Sequence, residues 1–215
     1  VTRVLLTGFG AFEGQSVNAS WRAVHGLAES WDAVAEGAEL HVRELPVSFR
    51  RAPTVLEAAL VDVRPDVVVC VGEAGGRGAV GLERVAVNLV DARIADVDGA
   101  APVDVPVVPG APAAHWATLP VKDCVAAVRA VGVPAEVSLS AGTYVCNATF
   151  FTLMHALRSD PSIRAGFVHV PRTPEQVPPG GPGLETRLTV DALRAVLRAA
   201  TTAVQDLRVS AGTLS

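Results

Sequence analysis

Cysteine is scarce in this chain of 215 residues: Cys70, Cys124 and Cys146 are an odd number with no CxxC spacing. Neither a disulfide framework nor a zinc knuckle fits that pattern, and a reducing cytoplasm suits it best. Lysine is scarcer, with Lys122 alone among 18 basic residues, and no basic stripe is present. At a formal net charge of -4, nothing selects nucleic acid or an anionic lipid surface by bulk charge. No run approaches the roughly 18 uninterrupted apolar residues of a membrane span. Val1 to Phe12, interrupted by Gly8 and Gly10, is too brief and too broken for a signal peptide.

Two phosphate-binding signatures are also missing. Gly8-Phe9-Gly10-Ala11-Phe12-Glu13 starts like a dinucleotide fingerprint, but Glu13 stands where the third glycine is required. The later GEAGGRG stretch, Gly72 to Gly78, lacks the Lys-Ser/Thr of a phosphate loop, so its glycines read as a tight turn or a close backbone approach. The chain has no internal repeat and no low-complexity tail.

What is present is ample core material. Half of the residues are hydrophobic and 19% are charged, far from the composition of disordered chains. The length predicts one domain spanning residues 1–215. Short apolar strands alternate with amphipathic helices, which predicts the α/β class, with helices on both faces of a mostly parallel sheet. Arg3 to Thr7 reads as the first strand. Asp66 to Gly72 (DVVVCVG) reads as a central one, its β-branched run suiting burial on both faces. Arg84 to Val90, Ala135 to Leu139 and Arg164 to Val170 follow, and Leu40 to Val47 reads as an edge strand. Helices are expected to begin near Asn18, Pro53, Pro120, Val145 and Thr189. In the last, Val190, Leu193, Val196, Leu197, Ala200, Val204 and Leu207 form one apolar stripe. Asp91 to Thr118 and Arg172 to Glu185 read as irregular, and long loops of this kind are often lids or binding loops.

Three polar residues carry the candidate chemistry. Cys146 follows a strand and the turn Ser140-Ala141-Gly142, and it opens the helix VCNATFFTLMHAL. Unpaired N–H groups and partial positive charge at a helix start favour thiolate and can hold an oxyanion, so a low-pKa thiol is expected there. Cys70 and Cys124 read as core residues. A thiol needs a base, and His169 lies at the carboxyl end of a strand, where open α/β sheets gather catalytic groups. Glu83, read as sitting in a loop after another central strand, can orient that imidazole. Taken alone, each has a plain alternative: a core cysteine, a satisfied core histidine, a solvated surface glutamate. Phe9 and Phe12, in a glycine turn, read as aromatic walls for a small flat substrate or as packing.

Together these segments resemble the pyroglutamyl peptidase I family, also called pyrrolidone carboxyl peptidase. TGFGAFEG with Asn18, GEAGGRGAVGLERVAVN, LVDARIADVDG, TLPVK, VSLSAGTYVCN and GFVHVPRTPEQ follow in the family's order, from Leu6 to beyond Gln176. The resemblance implies a cysteine exopeptidase that removes N-terminal pyroglutamyl residues from small peptides without metal or cofactor, using Glu83, Cys146 and His169. It implies an α/β/α sandwich of the phosphorylase/hydrolase-like type, often a homo-oligomer, dimer or tetramer. It also implies Arg93 and the N–H groups around Cys146 at the oxyanion. Phe9, Phe12, Asn18, Glu73, Tyr144 and Val145 fall at its pocket, the two phenylalanines flanking the lactam ring.

One position departs from the family. Glu73 stands where the pocket turn usually carries glutamine, and a carboxylate can accept from the lactam N–H but cannot donate to the lactam C=O. Arg77 is expected to neutralise its charge. The departure leaves open a cysteine amidase acting on another small acyl group, and a non-catalytic small-molecule-binding domain is the further alternative.

Overall fold

The computed structural model describes residues 1–212. In chain order the elements are β1 (Thr2–Phe9), α1 (Ala19–Glu29), α2 (Ala33–Glu36), β2 (Ala38–Leu45), α3 (Arg51–Val63), β3 (Val67–Ala74), β4 (Val80–Glu83), β5 (Val85–Val87) and β6 (Ala114–Trp116). There follow α4 (Val121–Ala130), β7 (Ala135–Ser138), α5 (Val145–Ala156), β8 (Arg164–Pro171), a 3-10 turn (Pro174–Gln176) and α6 (Thr186–Thr202).

The main sheet runs β2-β1-β3-β8-β4-β7. β2, β1, β3 and β8 are parallel to one another, whereas β4 is antiparallel to β8 and carries β7 parallel to itself. The apolar run of β3 lies inside the sheet, buried from Val67 through Gly72. α1, α4 and α6 pack as one layer, while α3 and α5 form the other, completing the expected α/β/α sandwich. One continuous cluster of buried apolar side chains links sheet and helices. Among the described residues, no helix is long and apolar enough to cross a membrane.

α5 needs no polar face, because it is covered on nearly every side. Val145 and Asn147 through Met154 are all buried, and the helix also packs against the ribbon formed by β5 and β6. A helix apolar all round belongs in such a place. Its first residues therefore start inside the molecule, beside the carboxyl ends of β3 and β8.

Three expectations need correction. The strand read at Arg84 to Val90 is not part of the main sheet: Val85–Val87 pairs with β6 in a separate antiparallel ribbon. The sheet strand is Val80–Glu83, whose Gly81 masked the pattern, since glycine weakens a strand interior. Glu83 is thus the last residue of a strand, in an antiparallel part of the sheet, rather than part of a loop. Finally, α6 begins at Thr186 and ends at Thr202, so Val204 and Leu207 leave the stripe and are exposed. The backbone turns extended at Ala203, which ends the helical repeat before either residue can reach the core. β2 is an edge strand as anticipated, and β7 is the other edge.

Candidate active site

The pairing of β4 with β8 explains how Glu83 meets His169. Gly81 lies opposite His169 and Glu83 opposite Phe167, so Glu83 and His169 are diagonal neighbours on one face of the sheet. Their side chains close a hydrogen bond of 2.7 Å between His169 Nδ1 and Glu83 Oε1. Both residues are buried. Burial works to raise the Glu83 carboxyl, but the hydrogen bond and charge of His169, the Ser138 hydroxyl and the Arg77 charge outweigh it and hold the group below its ordinary value. An ionised Glu83 requires the imidazole proton on Nδ1, which leaves Nε2 free to act as acceptor.

Cys146 reaches the same face through a missing side chain. Gly72 is the register partner of His169 on β3. A Cβ added at Gly72 would lie 2.9 Å from Cys146 Sγ and 2.8 Å from Phe167 Cζ. The sulfur therefore occupies the space above Gly72, beside the strand position that carries the imidazole. A glycine interrupting a buried β-branched run is a signal of close approach, and at Gly72 the close neighbour is the Cys146 sulfur.

The start of α5 is built for an anion. Tyr144 is its N-cap position and makes no side-chain cap, so among the described residues the first N–H groups beside Cys146 stay uncapped. Asn147 locks this end in place: it accepts from Val87 N at 3.0 Å and donates to Val87 O at 2.9 Å and Leu89 O at 3.0 Å. The Tyr144 hydroxyl adds a bond of 3.0 Å to Ala95 O.

The expectation of a depressed thiol pKa does not hold for this resting arrangement. Burial pushes Cys146 up to about 12, helped by the negative charges of Glu83 and Glu73 and by the neighbouring Cys70 thiol, with Arg77 opposing.

Beside Cys146 lies a cavity of roughly 190 Å³, and Phe9, Phe12, Asn18, Glu73, Tyr144 and Val145 all line it, as does Cys146 itself. That volume is below the range of roughly 300–1,000 Å³ of drug-sized sites and suits one small residue. Phe12 and Phe49 both pack on Tyr144, with ring centroids 5.8 Å and 5.2 Å away, while Phe9 packs on Phe167 at 6.4 Å. The Asn18 side-chain oxygen Oδ1 caps α1, accepting from Ser20 N at 3.0 Å and from Ser20 Oγ at 2.7 Å. Glu13, Val17, Val47, Ile94 and Arg172 complete the lining and were not expected at the pocket; all five lie in connections outside the strands and helices, where sequence position does not show which way a side chain points.

Two charged residues sit elsewhere than anticipated. Arg93 is exposed and lines an adjoining depression with Glu13, Asp91 and Gly142, not the cavity that holds Cys146. Arg77 does not neutralise Glu73. Its Nη1 donates to Glu83 Oε1 at 3.0 Å and its Nη2 to Ser140 O at 3.1 Å, passing over Gly81, where a Cβ would come within 2.7 Å of Nη1. The partner of Glu73 is Arg172, whose Nε donates to Oε1 at 2.9 Å.

A cysteine at an open helix start, a buried carboxylate-imidazole pair on the same sheet face and a small cavity alongside, all on an α/β/α sandwich, define the class: a cysteine peptidase. The profile of the pyroglutamyl peptidase family matches residues 2–205. The pyrrolidone-carboxylate peptidase of Clavibacter michiganensis subsp. michiganensis is 49% identical over 98% of each chain, and that of Streptomyces coelicolor is 48% identical over 99% of each. The crystal structure of pyroglutamyl peptidase I from Bacillus amyloliquefaciens superposes with a TM-score of 0.91 at 40% identity, covering 97% of this chain and 99% of that one. The pyrrolidone carboxyl peptidase from Thermococcus litoralis gives 0.88 at 33% identity, over 98% of this chain and 100% of that one. The chain belongs to the pyroglutamyl peptidase family.

Proposed function

We propose that this chain hydrolyses the amide bond after an N-terminal pyroglutamyl residue, with Cys146 as nucleophile, His169 as base and acid, and Glu83 orienting the imidazole. The observation that carries the reading is the 2.7 Å bond between Glu83 and His169, on the sheet face where Cys146 Sγ sits above Gly72 at the edge of a one-residue cavity. His169 Nε2 takes the thiol proton as Sγ attacks the carbonyl carbon, and the uncapped N–H groups of α5 hold the oxyanion. The carbon–nitrogen bond then breaks and imidazolium protonates the leaving amine, giving a thioester on Cys146. Water, losing its proton to His169, attacks that thioester and releases free pyroglutamic acid and the thiol. Arg93, exposed in the adjoining depression, is assigned no step in this reading.

The high resting position of the thiol fits this order of events, because a neutral Cys146 is activated only when the imidazole can receive its proton. The reading places one catalytic domain in the reducing cytoplasm, where Cys70, Cys124 and Cys146 stay free, and assembles it as a homo-oligomer. Release of a chromophore from a pyroglutamyl amide, run beside Cys146→Ala, tests the reading. Wild type turns over, and the variant loses about 10⁴-fold or more while remaining folded by circular dichroism. Persistent turnover in Cys146→Ala overturns the mechanism.

A further inference from the structure

A lactam ring displays an acceptor C=O and a donor N–H side by side on the same edge, so a pocket that reads it needs a donor next to an acceptor. Glu73 supplies no donor. Both of its oxygens are engaged: Oε1 accepts from Arg172 Nε at 2.9 Å, and Oε2 accepts from Ala19 N at 2.7 Å and from Gln176 Nε2 at 2.8 Å. Three bonds leave room for a further one on a carboxylate, which has about four acceptor sites.

Arg172 is built into this corner rather than lying loose on the surface. Its backbone carbonyl accepts from Leu184 N at 2.9 Å. Its guanidinium lies against Gly75, where an added Cβ would come within 3.2 Å of both Cζ and Nε. Nη2 makes only a long contact of 3.5 Å with Glu13 Oε2, and Nη1 has no protein partner among the described residues. Arg172 is also the one cation among the described residues lining the cavity beside Cys146. With Nε fixed on Glu73 Oε1, the outer nitrogens of the planar fork are fixed beside the same carboxylate.

We infer that Arg172 is a specificity-determining residue, and that the Glu73–Arg172 pair reads the lactam edge: Oε1 accepts from the ring N–H while an outer Arg172 nitrogen donates to the ring C=O. The inference rests on the pyroglutamyl reading above and adds its recognition element. The pair also compensates the charge of Glu73 itself, so Glu73 works as half of a donor-acceptor couple.

The test uses the full chain with a chromogenic pyroglutamyl amide as substrate and 2-pyrrolidone, the bare lactam ring, as competitive inhibitor. Arg172→Met raises KM and the 2-pyrrolidone inhibition constant together by about tenfold or more, with the loss mainly in KM rather than kcat. Glu73→Gln combined with Arg172→Met recovers most of that loss, because one neutral amide carries both an acceptor and a donor. An unchanged inhibition constant in Arg172→Met, or a double variant no better than the single, overturns the proposal. If Arg172→Met does not fold, Arg172→Lys replaces it: a point charge without the fork weakens 2-pyrrolidone severalfold, and wild-type binding by that variant overturns the proposal equally. Wild type that fails to cleave the pyroglutamyl amide defeats the function itself. Cleavage by wild type with inhibition indifferent to residue 172 defeats only the role of Arg172.

Discussion

Cys70 in the middle of β3 and Cys146 at the start of α5 share a sheet face region and a chemical handicap. Burial pushes each thiol up to about 12. Cys70 is completely enclosed, with the Thr7 hydroxyl as its polar neighbour. Cys146 keeps a partial opening to a cavity, uncapped helix N–H groups and an imidazole one strand away. On the proposed mechanism, the difference that matters is what can accept the thiol proton and hold the resulting charge.

The sharpest way to break that comparison is to remove the acid that holds the base. Glu83→Gln retains the shape but loses the charge that fixes the imidazole proton on Nδ1, and it leaves Arg77 without its anion. Loss of kcat by about 10²- to 10⁴-fold is expected in the chromogenic assay; activity within a fewfold of wild type would detach Glu83 from the chemistry. Next comes selective alkylation. At neutral pH iodoacetamide modifies Cys146 ahead of Cys70 and Cys124, and His169→Asn slows Cys146 alone by about 10²-fold. Mass spectrometry showing Cys70 labelled as fast as Cys146 in the folded chain would erase the distinction.

A smaller effect comes from Gly72→Ala, whose Cβ would meet both the Cys146 sulfur and the Phe167 ring. Displacing the sulfur lowers kcat by roughly tenfold or more, and overpacking costs about 1–3 kcal/mol by chemical denaturation. Full activity in that variant would show that the sulfur does not depend on the bare strand beneath it. The mildest test is alkaline stability. A thiol whose folded value lies above its ordinary 9.0 stabilises the fold below that pH and loses the contribution as pH rises towards about 12. Cys70, Cys124 and Cys146 then each cost up to about 1.4 kcal/mol per pH unit above 9. Cys70→Ala should flatten the decline measured by denaturant titration, and an unchanged slope would deny that its burial matters. Glu83 has the opposite sign: held below its ordinary 4.5, it stabilises the fold above that pH, and the contribution fades as pH falls through its lower folded value.

Much of this was legible from residue order alone. The strand-helix alternation predicted the layers, and Cys146, His169 and Glu83 were singled out by their positions and by the motifs around them. What stayed hidden depends on contacts distant in sequence. Arg172 and Glu73 are 99 positions apart, and nothing local marks Arg172 as the partner. Arg93 looked apt by its motif, yet its loop carries it to an exposed position beside Asp91. β4 was missed because it is four residues long and contains Gly81, and with it went the antiparallel direction that decides how Glu83 approaches the histidine.

That reversed strand makes the sheet ladder a ruler for the chemistry. Glu83 and His169 stand at a fixed diagonal only while β4 holds its register on β8, and a slip of one residue would send the carboxylate to the opposite face. β4 is short and has only β7 between it and the sheet edge. On the proposed mechanism, a local fraying of that margin would disconnect the imidazole from its counterion while the parallel half of the sheet stayed intact, so the molecule would fall silent as an enzyme well before it unravels as a fold.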